Sequence, residues 1–549
     1  MYIVWCYFSY NQLINLLNLI FMKRSFVILL AFVAYCSTQG QTSSLDTNNI
    51  KMSIRTNGDI GWEYDSGDWT VTSEAPILSN KRYLFASTLW MGGIDDDANL
   101  HIAANTYGQS GQDFWAGPVA TSYDANYDAT YDRTWIINID QIENHISNYA
   151  SSGYIMPEVI EHWPANGNSS NGESSQLAPY NDLNGNNLYE PLLGEHPLIR
   201  GDKAMYIIYN DTRTTHIETG GEAIGAEIHL MMYGYNSSDE NIHNTIFMHY
   251  SIYNRGDADL VNFRVGSWID WDLGYYDDDF IGCDIGRNLA FVYNGDATDE
   301  SEEGYGTNPP AAGLIMLNND LEVHLTHQNN GDSIYGNPTT AVGYYNYISG
   351  KWLDGSDYTI NGESTTLMYP GSTDANFPEL DLTEAASNNS PSDRRSISAL
   401  MVDEFNVGTS ICLDYAYVFA WDTTNTHLEN VEFLRERVDS VQAFYDSHFV
   451  DCSDFSVDIS NLGIEELLEG TGFESFYLAN LNQWQIRSKD VLSSPVQVVL
   501  SNVQGQVIDI QTWSADYDFI ISKENKSTGT YFVSLKLKDQ VIGFPIIIQ

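Results

Sequence analysis

The chain has 549 residues, with 74 Asp and Glu against 24 Lys and Arg, a formal net charge of -50. That balance excludes broad electrostatic attraction to nucleic acid or to an anionic membrane, which would both be repelled, and it suits divalent cations or salty surroundings. An apolar share of 43% marks a globular protein long enough for two or three domains, and 36 Tyr, 13 Trp and 42 Gly point to an all-β fold.

At the N-terminus, Lys23 and Arg24 precede an apolar run from Phe26 to Ala34 and then the small residues around Gly40. This pattern reads as a secretory signal over residues 1–40 with a true start at Met22, leaving no transmembrane span once it is cleaved. A membrane anchor or a lipid anchor at Cys36 fits less well, because the charged pair splits the apolar stretch and Tyr35 stands where a small residue is needed.

From Ile50 the pattern alternates as in strands. Asn57-Gly58 predicts a turn between Ile50–Arg55 and Ile60–Tyr64, and a second hairpin is expected from Leu84–Met91 and Leu100–Ala104. Asp140 with Glu143 reads as a capping box ahead of a short helix. Long strands are expected over 227–235, 245–254 and 260–271. In the second, Ile246, Met248, Tyr250 and Ile252 share one face, and Thr245, His249 and Ser251 the other, predicting a sandwich sheet covered on one side. Thr340 to Tyr347 predicts a short helix. The clearest helix is 428–449, capped by Thr426 and Glu429, with Val431, Leu434, Val438, Val441 and Phe444 at helical spacing.

Two constellations offer chemistry. The stretch SWIDWDLGYYDDDFIGCD carries Asp270, Asp272, Asp277, Asp278, Asp279 and Asp284, and carboxylates this dense call for a positive partner. Asp270 and Asp272 lie on one face of a strand, opposite Val261, Phe263, Val265, Ile269 and Trp271, with the others returning on the loop beyond; oxygen ligands without a Cys and His cluster point to Ca2+ rather than zinc. The second is Asp182, Asn184, Asn186, the Leu188 carbonyl and Glu190, the alternate-residue pattern of an EF-hand loop, although Asn187 stands where Gly is usual and Glu195 falls two residues beyond position 12. HExxH, GxSxG and a phosphate-cradling glycine loop are absent, and Gly331-Asp332-Ser333 reads as a turn. Of the cysteines beyond residue 40, Cys283, Cys412 and Cys452, at most one pair can form, and spacing does not choose it.

The acidic bias is confined: residues 475–549 hold six basic and six acidic residues, so a boundary is expected between 460 and 475, dividing an acidic β domain (41–460) from a linker and terminal β module (461–549). Within that module VQVVLSNVQGQVI and KSTGTYFVSLKLKDQVIGFPIII resemble the C-terminal sorting domain of type IX secretion cargo in Bacteroidetes. Asn502 and Gly505 match its turn, Gly529 and Tyr531 its GxY strand, and Ile546–Ile548 its final strand; the usual Pro-Asn-Pro opening and terminal Lys are missing. The segments SLDTNNIKMSI, FASTLWMGGID, DLNGNNLYEP, DWDLGYYDDDFIGCD, YNYISGKWLDGS and SDRRSISAL are similar to a family of large secreted proteins of those bacteria without an established activity. The resemblance implies a small β-sandwich sorting module, the type IX translocon as partner, and an extracellular or outer cell-surface location. The reading is therefore a large β-sandwich with a few short helices plus that module. Its expected role is a calcium-stabilised binding or adhesion protein for a glycan or surface protein, the alternative being a secreted glycan hydrolase using central aspartates.

Overall fold

In a computed structural model, residues 42–61, 81–107, 111–374, 381–449 and 451–455 are described, together with the strands of a C-terminal unit between 473 and 548. The signal segment, Tyr64 and Gly505 lie outside the described residues. The chain divides into two compact units between Phe455 and Ser456.

The larger unit is built on two antiparallel sheets. One has five strands in the order Val323–His327, Arg394–Phe405, Leu260–Trp271, Ala86–Ile94 and Leu100–Ala103. The other runs from Asp279–Asp284 through Leu289–Asn294, Ala311–Met316, Ser410–Ala420, Thr245–Asn254, Ala226–Gly234 and Lys203–Asn210 to Trp115–Ala116, with Trp135–Asn138 also pairing Lys203–Asn210. One apolar core joins their inner faces: Leu89, Met91, Phe263, Val265 and Ile269 from the first meet Ile228, Leu230, Met248, Tyr250, Leu314 and Tyr417 from the second. The two faces are also pinned by hydrogen bonds, since the Tyr417 hydroxyl donates to Ser87 Oγ at 2.8 Å and Ser87 in turn contacts Ser267 at 2.8 Å. The chain is thus a β-sandwich, the fold class that its aromatic and glycine content predicts.

Several local expectations need correction. The outer faces are covered as well. Helix His427–His448 packs on the larger sheet, with Phe444 against Phe247 and Tyr235. Helix Ala341–Ile348 covers the smaller sheet, closing a second core around Trp90, Trp268 and Ile397. A one-sided reading failed because Phe247 and Tyr233 share the outer face with the polar residues and need apolar partners. In the long helix, Tyr445 is buried and Phe444 only partly so. The helix at Ile139–Asn148 is capped by Asn138 and Gln141, two residues earlier than Asp140 and Glu143, because Asn138 keeps extended backbone at the end of a strand and its side chain accepts from Gln141 N. The Asn57-Gly58 turn forms, with Gly58 at φ +90°, but Ile60 makes only isolated bridges, one to Ile54 and one to Ser87. Val261 is exposed, not inward, because a bulge between Val261 and Arg264, with Asn262 at φ +50°, shifts the alternation.

Cys412 and Cys452 form a disulfide that ties the sheet to the segment after the long helix, and Cys283 is a buried free thiol.

The smaller unit is a sandwich of a three-stranded sheet (Phe473–Leu478, Gln483–Ser488, Phe519–Ser522) and a four-stranded one (Val507–Trp513, Val496–Asn502, Gly529–Lys536, Val541–Ile548). Trp484 and Ile486 pack with Val498, Leu500, Tyr531, Val533 and Ile546. Tyr531 lies opposite Asn502 on one side and Ile546 on the other, so the GxY tyrosine is a core residue.

Candidate functional sites

The central aspartates do not converge on one point, because the stretch that carries them crosses from one sheet to the other. Asp270 ends a strand of the five-stranded sheet, whereas Asp279–Asp284 forms the edge of the nine-stranded one. Asp279 and Asp284 are five strand steps apart, about 17 Å at the usual rise, too far to share an ion.

Asp270, Asp272 and Asp393 form a first group, with one oxygen of each within 4.8 Å of the others. Their positive partners are arginines. Arg395 donates to Asp270 Oδ2 (2.9 Å) and Asp393 Oδ1 (2.8 Å), and Arg82 donates to Asp272 Oδ2 (3.2 Å). Tyr107 donates to Asp270 Oδ2 and accepts from Arg395 Nε. Burial pushes Asp270 up to about 7 even against Arg395, and burial together with Asp270 raises Asp272 well above the carboxylate range. Two guanidiniums therefore face three carboxylates, and burial favours the protonated forms of Asp270 and Asp272.

The remaining aspartates brace loops and the long helix. Asp279 is buried and accepts from Leu273 N, and Asp278 accepts from Glu300 N; burial raises both, Asp278 to about 7. Asp277 is exposed and accepts from Asp393 N. Asp284 receives Arg287 at 3.0 Å and, from the long helix, Arg435 at 3.2 Å.

The segment 182–190 is a single exposed loop whose Asp182, Asn184, Asn186 and Glu190 side chains bond within it, while Leu183 and Leu188 face solvent. Asp182 accepts from Gly185 N (2.8 Å), Asn186 N (3.3 Å) and Asn187 N (2.8 Å), bonds that hold its carboxyl below the usual range. Asn184 and Asn186 both direct amide groups to Glu190 Oε2, at 2.9 and 2.7 Å. Asn187 has φ +61°, the left-handed conformation that Gly supplies in EF-hand loops and that Asn tolerates better than other residues. Glu195 is buried and latches both ends, accepting from Leu183 N and Glu190 N.

Beside this loop lies a cavity of about 240 Å³, open on one side, lined by Tyr180, Tyr206, His229, Ser251, Tyr253 and Phe455, with Asp182 and Asn187 also on its wall. Sequence reasoning missed it, since these residues are scattered between 180 and 455 and only strand pairing assembles them. His324 and His327 are core residues held neutral, pushed by burial down to about 3.

No family model and no curated protein matches the chain. Among solved structures it is similar to a polysaccharide lyase at 8% identity and TM-score 0.18, over 58% of this chain and 34% of that one. It is also similar to the BSP domain of a biofilm-associated protein at 10% identity and TM-score 0.12, over 93% and 81%. The chain thus spans about a third of the lyase. Among the described residues no helix is long and apolar enough to cross a membrane.

Proposed function

We propose that this is an extracellular or cell-surface binding protein, stabilised by Ca2+, that captures a small neutral glycan and is exported by the type IX translocon through its C-terminal module. The observation that carries the reading is the 182–190 loop, where Asp182 accepts from three backbone N–H groups, Asn184 and Asn186 turn to Glu190, and Asn187 holds the left-handed turn. The ion is assigned there rather than to Asp270 and Asp272, which already have guanidinium partners. Asp182, Glu190, the Asn184 and Asn186 amide oxygens and the Leu188 carbonyl would supply the hard oxygen set that Ca2+ prefers.

Two features support the rest. The Cys412–Cys452 disulfide suits an oxidising, extracytoplasmic setting. The tyrosine-lined cavity offers aromatic faces and hydroxyls, and its volume, below the range common for drug-sized ligands, suits one or two sugar units. Thermal melts in Ca2+ and in chelator at fixed ionic strength, with a glycan array under the same two conditions, test the proposal. Identical melting temperatures would remove the ion, and an array without a Ca2+-dependent signal would remove the glycan. Deleting residues 475–549 should abolish export while leaving the large unit folded.

A further inference from the structure

We propose that the cavity is also a reaction site, in which Ser251 is a nucleophile activated by His249 and Asp414 and the substrate is a small neutral O-acyl ester. The inference rests on the same cavity as the glycan reading but needs no bound calcium.

Strand pairing creates the arrangement. His249 and Ser251 are two apart on the strand Thr245–Asn254, so both side chains point to its outer face. Asp414 lies directly opposite His249 on the neighbouring strand. Asp414 Oδ1 stands 2.7 Å from His249 Nδ1, and Ser251 Oγ stands 3.3 Å from His249 Nε2. An ionised Asp414 fixes the proton on Nδ1, leaving the Nε2 lone pair toward Ser251; this is the order nucleophile, base, orienting carboxylate. Asp414 is held in turn by Arg200 Nη1 at 3.1 Å and by the Tyr445 hydroxyl from the long helix. His249 is buried beneath the Phe455 ring, 5.0 Å between centroids, whereas Ser251 is half-buried and lines the cavity. The Nε2 contact satisfies a buried ring nitrogen and at the same time sets it on a hydroxyl that faces the cavity.

The chemistry closes with water as the second reactant. Ser251 Oγ adds to the ester carbonyl carbon while its proton passes to His249 Nε2. The carbonyl C–O bond to the alcohol breaks, and the alcohol leaves with that proton. Water then adds to the acyl-serine, giving a proton to Nε2; Oγ departs, takes the proton back, and the carboxylic acid is released. The Tyr253 ring lines the same cavity beside Ser251. A neutral ester is favoured over an acid, because Asp182 is on the wall and the nearby Arg255 guanidinium is already paired with the buried Glu227.

Groups facing His249 set the pH profile: Asp414 on the neighbouring strand, Arg200 beside it, and His229 on the other neighbouring strand. Burial lowers the imidazole pKa, Asp414 opposes this, and Arg200 and His229 add to it. Hydrolysis limited by neutral His249 should therefore reach half its plateau below the pH of an ordinary histidine.

The full chain is treated with a fluorophosphonate probe, the adduct is mapped by mass spectrometry, and p-nitrophenyl acetate turnover is followed across pH. The expected result is a single adduct on Ser251, with turnover falling at least a hundredfold in Ser251→Ala and His249→Gln. An unlabelled Ser251 in the unmodified protein, or full turnover in Ser251→Ala, overturns the proposal. Probe mapping needs no variant to fold, and the Ca2+-dependent melt is read separately, so failure here leaves the calcium reading standing or falling by itself.

Discussion

The two acidic regions solve the same problem differently. At the strand end around Asp270, the carboxylates are paired with Arg82 and Arg395, and burial raises the Asp270 pKa. In the loop 182–190 the carboxylates stay near the surface, Asp182 accepting from backbone N–H groups and Glu190 from the Asn184 and Asn186 amides, all within a few residues. A buried acidic cluster must find its counter-charge in the fold, whereas an exposed one with the right local spacing can take it from solution.

The largest effect is expected from Arg395→Met, which strips the counter-charge from Asp270 and Asp393. Leaving a buried charge unpaired costs on the order of 3–5 kcal/mol, and the denaturant midpoint should fall accordingly. If added Ca2+ restored the midpoint, the central group would be an ion site too, and the contrast between the regions would disappear. The double variant Asp270→Asn, Asp272→Asn sharpens the same point, since it should leave the calcium-dependent shift in place.

Asp182→Asn comes next. It should abolish the calcium-dependent part of stability, about 2.7 kcal/mol when the ion is at a hundred times its Kd, while leaving the melt in chelator nearly unchanged. Calorimetry in both buffers separates the two parts.

A smaller effect is expected from pH. Asp270 and Asp278 have folded pKa values of about 7, above their unfolded value, so the folded state binds more protons between those limits and gains stability as pH falls. That gain should show as a rising melting temperature from pH 8.5 to 6.5. Below about 6.5 it is opposed by His324 and His327, which stay neutral in the fold while the unfolded chain protonates its histidines. A flat profile from pH 8.5 to 6.5 would mean that a metal ion, not a proton, completes the charge balance at the centre.

The smallest change should come from Asn187→Gly, which relieves a left-handed residue and alters stability by less than about 1 kcal/mol while keeping the calcium shift. Loss of that shift would mean that the Asn187 side chain, and not merely its backbone angle, serves the loop.

The sequence by itself determined what depends on near neighbours. Periodicity located the strand Leu260–Trp271 and the helix His427–His448, and the Thr426–Glu429 capping box is where the spacing placed it. The loop around Asp182 was legible for the same reason, since its bonds span only a few residues. Tertiary structure alone decided which carboxylates meet which arginines, because Arg82 and Arg395 carry no mark of their partners in the sequence. It alone paired Cys412 with Cys452 and covered both outer faces with helices. Above all, it set His249 opposite Asp414, 165 residues away, and turned Ser251 toward a cavity; that contact exists only through the register of two strands, which no local pattern encodes.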